Sequence, residues 1–212
     1  LMRCTKRFDP PGAKGYAENA SSLIERYEAV GFEQKHQALL SLIPPQCSRA
    51  LDVGAGAGGD AAWLAHQGYE VVAVEPTAEL RTYASQRHSS PRIEWMDDCL
   101  PRLAQVSKRG EAFDLIILSA VWMHLHPRER STAMPVLASL LSPKGLLYIS
   151  LRHGPIPEGR VMFDVTPEET VVIARASGLD VVLNVPSASA QMANREAGVT
   201  WSQLAFVKDG SG

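Results

Sequence analysis

Apolar positions change their spacing near residue 49. Before it, residues 16–30 and 33–43 carry apolar side chains at helical intervals, with Tyr16, Ala20, Leu23 and Tyr27 on one stripe. Pro44 and Pro45 close that region. Beyond it, short aliphatic or β-branched runs alternate with amphipathic stretches of about a dozen residues, the pattern of repeated strand–helix units. This predicts strands at 49–53, 70–75, 92–95, 113–119 and 145–151, with helices near 59–67, 78–88, 99–108 and 128–141. Pro135 should kink or break the last helix, because proline removes a backbone donor. At 166–169, Thr166 reads as an N-cap, Pro167 as the first helical residue and Glu169 as the partner that completes a capping box. That helix should run to about residue 177 and stop at Gly178, after which 179–185 and 200–208 read as a final, antiparallel pair of strands. The expected fold class is therefore α/β. It is a Rossmann-like, doubly wound seven-stranded sheet, mostly parallel with an antiparallel last strand, in a three-layer α/β/α arrangement. Residues 1–45 are expected to form a helical cover or lid, 46–208 one compact domain, and 209–212 a tail.

Composition narrows the function classes. The 212 residues hold 21 basic and 23 acidic side chains, a formal charge of -2, and 45% of them are hydrophobic. That is enough apolar content for one sizeable core and too much for a disordered chain. Near neutrality disfavours a protein that grips nucleic acid, since neutralising phosphates usually leaves a basic excess. The densest basic stretch, 81–92, is interrupted by Ser85, Ser89 and Ser90 and reads as a solvated face. Cys4, Cys47 and Cys99 are scattered, which indicates neither a disulfide framework nor a zinc site and suits a reducing, cytoplasmic setting. No apolar run approaches the ~18 residues that cross a bilayer, so no membrane association is expected. The opening residues lack the apolar core of a secretory signal.

The segment ALDVGAGAGGDAAWLA, residues 50–65, is the most informative. A buried strand ends at Val53, and Gly54, Gly56, Gly58 and Gly59 follow before a helix. Glycine here lets the backbone turn tightly and approach a ligand, and the helix start offers free amides. The spacing departs from both the dinucleotide fingerprint and the phosphate loop, and no lysine follows. Asp52 just ahead of the loop would repel a pyrophosphate and welcome a cation such as a sulfonium or an amino group. Glu75, at the end of the second predicted strand, is placed to accept hydrogen bonds from vicinal ribose hydroxyls. The third strand runs into Asp97-Asp98-Cys99, where a carboxylate can receive an adenine amine. These acids coincide at the carboxyl ends of parallel strands, where open α/β sheets bind ligands.

With LDVGAGAGG (51–59), VVAVEP (71–76), IEWMDDCLP (93–101), FDLIILSAVWMHL (113–125), LLSPKGLLYIS (140–150) and a closing hairpin pattern, the chain resembles the class I S-adenosylmethionine-dependent methyltransferases from Tyr16 to Lys208. The resemblance implies S-adenosylmethionine as cofactor and S-adenosylhomocysteine as product. It implies that Asp52, Gly54, Ala55 and Gly56 approach the methionine portion, that Glu75 with Pro76 holds the ribose, and that Asp97 or Asp98, with Cys99, addresses the adenine. Asp97 better fits the family's glycine-Asp pattern, with Met96 in place of the glycine. Ser119 and Ala120 would pass beside the cofactor, and the 16–27 segment would act as a lid with Tyr16 and Tyr27 reaching inward. Arg26 is a candidate for the methionine carboxylate.

His124 is a candidate either for proton transfer or for shaping the acceptor pocket through a backbone hydrogen bond, and His126 reads as a helix-entry residue. Arg152, at the rim with His153, suits either an anionic acceptor or a surface ion pair. His124, Tyr16 and Arg152 are thus the catalytic candidates. Arg160, Arg195 and Trp201 carry no spacing that selects a role. Short insertions point to a small-molecule acceptor. The SAVW segment after the fourth strand lacks the Pro-Pro and aromatic pattern of DNA amino-methyltransferases, and no Asp/Asn set suits magnesium, so no metal is expected. The alternatives are a non-catalytic S-adenosylmethionine-binding regulatory or interaction protein, a nucleic-acid or protein methyltransferase, and an NAD-dependent oxidoreductase. Oligomeric state is not legible in this sequence.

Overall fold

The computed structural model describes residues 16–17, 20–44 and 48–210. Cys4 and Cys47, residues 1–15 of the expected cover and 211–212 of the expected tail lie outside the described residues. Seven strands form one sheet: β1 (Arg49–Val53), β2 (Glu70–Val74), β3 (Ile93–Met96), β4 (Phe113–Ser119), β5 (Leu141–His153), β6 (Leu179–Ala188) and β7 (Thr200–Lys208). Their order is β3-β2-β1-β4-β5-β7-β6. The first five strands pair parallel, and β7 runs antiparallel between β5 and β6. The helices are α1 (Ala20–Glu28), α2 (Phe32–Lys35), α3 (Gly59–His66), α4 (Ala78–Arg87), α5 (Ala104–Lys108), α6 (Pro127–Leu140), α7 (Pro167–Ala176) and α8 (Met192–Glu196).

Period-two alternation splits the core into two layers on the sheet's faces. Leu51 and Val53 join Val72, Val74, Ile116 and Leu118 beneath residues of α5, α6 and α7. Ala50, Val71, Ala73, Leu115 and Ile117 pack on the other face with Phe32 of α2 and Ala61 and Leu64 of α3. By the same alternation Asp52, two residues after Ala50, faces the α2–α3 side. The β1 strand has β2 on one flank and β4 on the other. This is where the direction of winding reverses and the carboxyl ends of the strands open a crevice.

Several expected boundaries shift for local reasons. The α6 helix runs through Pro135 without a break, because Pro135 lies on its exposed face, where the carbonyl that loses its donor meets water. Instead of 99–108, the fifth helix spans only 104–108, because the Asp98 carboxylate accepts from the amides of Gln105 and Val106 (2.7 and 3.0 Å) and sets the start there. Residues 33–43 do not form one helix. The α2 helix ends at Lys35, and the next residue, His36, turns its ring into a buried polar cluster. The box expected at Thr166 is half made: Thr166 Oγ1 accepts from the Glu169 amide (3.1 Å), while the Glu169 carboxylate turns to Arg130 (2.9 Å). The complete box is at His126, whose ring accepts from the Arg128 amide while Glu129 accepts from the His126 amide. The β5 and β6 strands extend beyond their expected ends, and α8 was not foreseen.

Candidate active site

At the end of β1, Gly54 takes φ +74°, and its amide and that of Ala55 donate to the Val74 carbonyl (2.8 and 2.9 Å). A Cβ on Gly54 would stand 2.6 Å from Val121 Cγ2, so both the conformation and the space demand glycine. The Gly56 amide donates to Glu75 Oε2 (2.9 Å), and the Thr77 amide to Glu75 Oε1 (2.8 Å). Glu75 is buried, which pushes its carboxyl up, while those two amide bonds and Arg81 pull it down. Each oxygen keeps a lone pair for a further donor.

Asp52 is 1% exposed, and its Oδ2 has no hydrogen-bond partner. Burial, with the nearby Asp60, raises its pKa well above the ordinary value. Asp60 shows the opposite balance. Burial acts to raise it, but His36 and Lys35 more than offset that and hold its carboxyl well below the usual range. Lys35 Nζ lies 2.5 Å from Asp60 Oδ1, and His36 Nε2 donates to Oδ2 (2.9 Å) while Nδ1 meets the Tyr148 hydroxyl (3.0 Å). Gln203 donates to the Lys35 carbonyl at 3.3 Å. This cluster fastens α2 to α3 and β5 behind the glycine loop. Removing Lys35 and His36 together would strand the buried Asp60 charge, at a cost of about 3–5 kcal/mol.

The other end of the crevice is built by the segment after β4. Trp122–His124 forms a single 3₁₀ turn. His124 Nδ1 donates to the Val161 carbonyl (2.7 Å), which leaves Nε2 to accept from the Tyr16 hydroxyl (2.9 Å). Burial lowers the His124 pKa and Arg160 adds to that, against the Val161 bond. The imidazole is therefore neutral at pH 7. Tyr27 in turn hydrogen-bonds Tyr16, and burial raises both phenols above their usual value. Arg160 lies over the Tyr16 ring, 3.5 Å from its centroid. The 160–165 loop that supplies Val161 is anchored by Arg130, fully buried, which donates to the carbonyls of Phe163 and Asp164 and to Glu169.

These parts surround one cavity of about 1050 Å³, running from Glu75, Asp98 and Cys99 past the glycine loop to Tyr16, His124, Arg152 and Arg160. Residues 50–145 match the methyltransferase domain family. An uncharacterized methyltransferase of Alkaliphilus oremlandii is 28% identical over 136 residues, covering 61% of this chain and 56% of the relative. Glycine N-methyltransferase of Rattus norvegicus is 27% identical over 171 residues, covering 67% and 58%. The chain thus spans a little under three fifths of the length of these relatives. The structure of a TehB-like SAM-dependent methyltransferase from Corynebacterium glutamicum superposes with a TM-score of 0.67 at 20% identity, covering 92% of this chain and 98% of that one, a likeness of fold.

Within and around the matched residues, Asp52, Gly54, Ala55, Gly56, Glu75, Pro76, Asp98, Cys99, Ser119 and Ala120 all line the cavity, as do Tyr16, Tyr27, Arg26, His124 and Arg152. Asp97, the acid expected to address the adenine, is not among the lining residues. Its half-exposed carboxylate turns away to Arg81 (2.9 Å), which also donates to the Glu75 carbonyl, so Asp98 is the acid at the cavity wall. His153 bonds Ser202 (2.9 Å) and, with Arg195, stands outside the lining. Lys35, His36 and Asp60 were missed. Asp60 had a legible signal, an acid in the first turn of the helix after the loop, but His36 acquires its role only through partners distant in sequence.

Proposed function

We propose that the protein transfers a methyl group from S-adenosylmethionine to a small-molecule acceptor. The observation that carries this is the single cavity joining the Gly56–Glu75 corner to the Tyr16–His124 pair. Its residues fit the cofactor: Asp52 Oδ2 is a buried acceptor lacking a donor, as an ammonium group would supply, and Glu75 keeps lone pairs for two ribose hydroxyls. Asp98, Cys99 and Leu100 line the adenine end. When bound, S-adenosylmethionine supplies an electrophilic methyl carbon on a sulfonium, which departs as a neutral thioether.

Because no strong anion leaves, the protein's task is alignment and exclusion of water. Holding the reactants at near-attack distance contributes about 7 kcal/mol or more in favourable cases. Tyr16, Leu23, Arg26 and Tyr27 line the cavity, and the Tyr16 hydroxyl meets His124. His124 is held by Val161 in the tautomer whose Nε2 accepts protons. An acceptor hydroxyl or ammonium passes its proton to Tyr16 Oη as Tyr16 gives its own to Nε2. A free thiol at Cys99 is compatible with a cytoplasmic setting. Isothermal titration with S-adenosylmethionine, followed by mass spectrometry of a metabolite mixture, tests this reading. Methylated products are expected, and cofactor binding with none would favour a binding module.

A further inference from the structure

We propose that the methyl acceptor carries an oxyanion, a carboxylate or phosphate group, and that Arg152 and Arg160 hold it beside the Tyr16–His124 pair. The inference rests on the methyl-transfer reading and names its substrate class.

Both arginines line the cavity together with Tyr16 and His124. Arg81, Arg109 and Arg130 each meet a carboxylate oxygen within 2.9 Å. Among the described residues, no carboxylate pairs with Arg152 or Arg160. Arg152 donates one nitrogen to the Pro155 carbonyl (2.7 Å), and burial lowers its pKa. Arg160 stacks on Tyr16, and its Nη1 is buried without a hydrogen-bond partner. Of the other acids lining the cavity, Glu28 meets Arg87 and Tyr83, Asp60 meets Lys35 and His36, Glu129 the His126 amide, Glu75 the Gly56 and Thr77 amides, and Asp98 the Cys99, Gln105 and Val106 amides, while Asp52 forms no ion pair with either arginine. Glu158 is exposed at the rim and pairs with neither arginine.

Neither Tyr16 nor His124, which line the same cavity, carries a compensating charge. Tyr16 is a phenol with a raised pKa, and His124 is neutral. Two arginines lining one cavity, neither in an ion pair with a carboxylate, leave positive charge without a direct partner in a setting of reduced dielectric. An oxyanion restores the balance, and the planar fork of guanidinium fits its paired oxygens. Stacking on Tyr16 fixes the Arg160 plane, so the fork is already oriented. An acceptor held this way presents its other end towards Tyr16 Oη and the Nε2 behind it.

The test uses the full chain saturated with S-adenosylhomocysteine, titrated calorimetrically with benzoate, phenyl phosphate and the neutral isostere benzamide. Benzoate or phenyl phosphate should bind at least about tenfold tighter than benzamide, the size of one charge-assisted contact, and the tighter of the two identifies the oxyanion. R152Q and R160Q should erase that preference while affinity for S-adenosylhomocysteine stays within about twofold. Equal binding of benzamide, no binding of either anion, or a preference that survives both substitutions overturns the proposal. So does a parallel loss of S-adenosylhomocysteine affinity, which would assign the arginines to the cofactor's own carboxylate. If a variant fails to fold, the comparison of anion with amide on the unaltered protein still decides. Failure of S-adenosylhomocysteine to bind at all sinks the methyl-transfer reading instead, and the same anion preference on the free protein would still support an oxyanion pocket.

Discussion

The hydroxyl of Tyr16 lies 2.9 Å from Nε2 of His124, across a sequence separation of 108 residues. The bond ties Tyr16 to the turn after β4 that carries His124. Y16F deletes the bond while keeping the ring beneath Arg160. We expect kcat to fall by about 10–100-fold with affinity for S-adenosylhomocysteine little changed, as for a lost proton-transfer partner. Steady-state kinetics with titration calorimetry checks this, and unchanged turnover would remove Tyr16 from the chemistry.

The pH profile follows from His124. Burial holds its folded pKa below the ordinary histidine value, so the imidazole stays an acceptor as pH falls through the range where an exposed histidine protonates. The acid limb of kcat/KM should therefore lie below about pH 6.5 and disappear in H124Q, whose residual rate should be about a hundredth of the parent's or less. For stability the sign is that of a lowered histidine: no penalty above the unfolded pKa, and a growing penalty as pH falls from there to the folded pKa. H124Q should flatten that part of the curve of melting temperature against pH.

Asp52 gives the opposite sign. Its folded pKa is raised, so its contribution to stability is full below the unfolded carboxylate value and is lost as pH rises through the folded one. The D52N variant should thus be more stable than the parent at neutral pH, by about 1 kcal/mol, because a buried carboxylate with one unpartnered oxygen is gone. It should also lose about tenfold in S-adenosylmethionine affinity, since the partner of the ammonium group is lost. Parallel thermal melts and titrations check both. A variant less stable and equally tight would show that Asp52 is structural.

Much of this arrangement was legible from the chain. The strand ends that carry Asp52, Glu75 and Asp98 follow from apolar runs that stop at the same edge, and parallel strands put such ends together whatever the details of packing. Side-chain direction was less legible. Asp97 and Asp98 are adjacent, and only the capping of α5 by Asp98 and the reach of Arg81 to Asp97 separate them. The Lys35–His36–Asp60–Tyr148 cluster and the hold of Arg130 on the 160–165 loop depend on contacts between distant segments, which periodicity does not encode. The helix at 33–43 failed for the same reason, as His36 is drawn inward to partners on α3 and β5.

The glycine loop carries its own prediction. In G54A, a Cβ would meet a stiff β-branched Val121 at 2.6 Å on a backbone with φ +74°. The free protein should lose about 1–3 kcal/mol of stability from the left-handed strain alone. Adding V121A should restore only the part that comes from the clash. Full recovery by V121A, read by denaturant unfolding, would mean that the φ requirement is unimportant.

Whether the Gly56–Glu75 corner binds a ribose and Asp52 a cationic amino acid end is tested most directly by titrating the unaltered protein with S-adenosylhomocysteine and with NAD. Saturable binding of S-adenosylhomocysteine, weakened by about tenfold or more in E75A, with no detectable heat from NAD, is the expected result. Tight binding of NAD with no affinity for S-adenosylhomocysteine would contradict it.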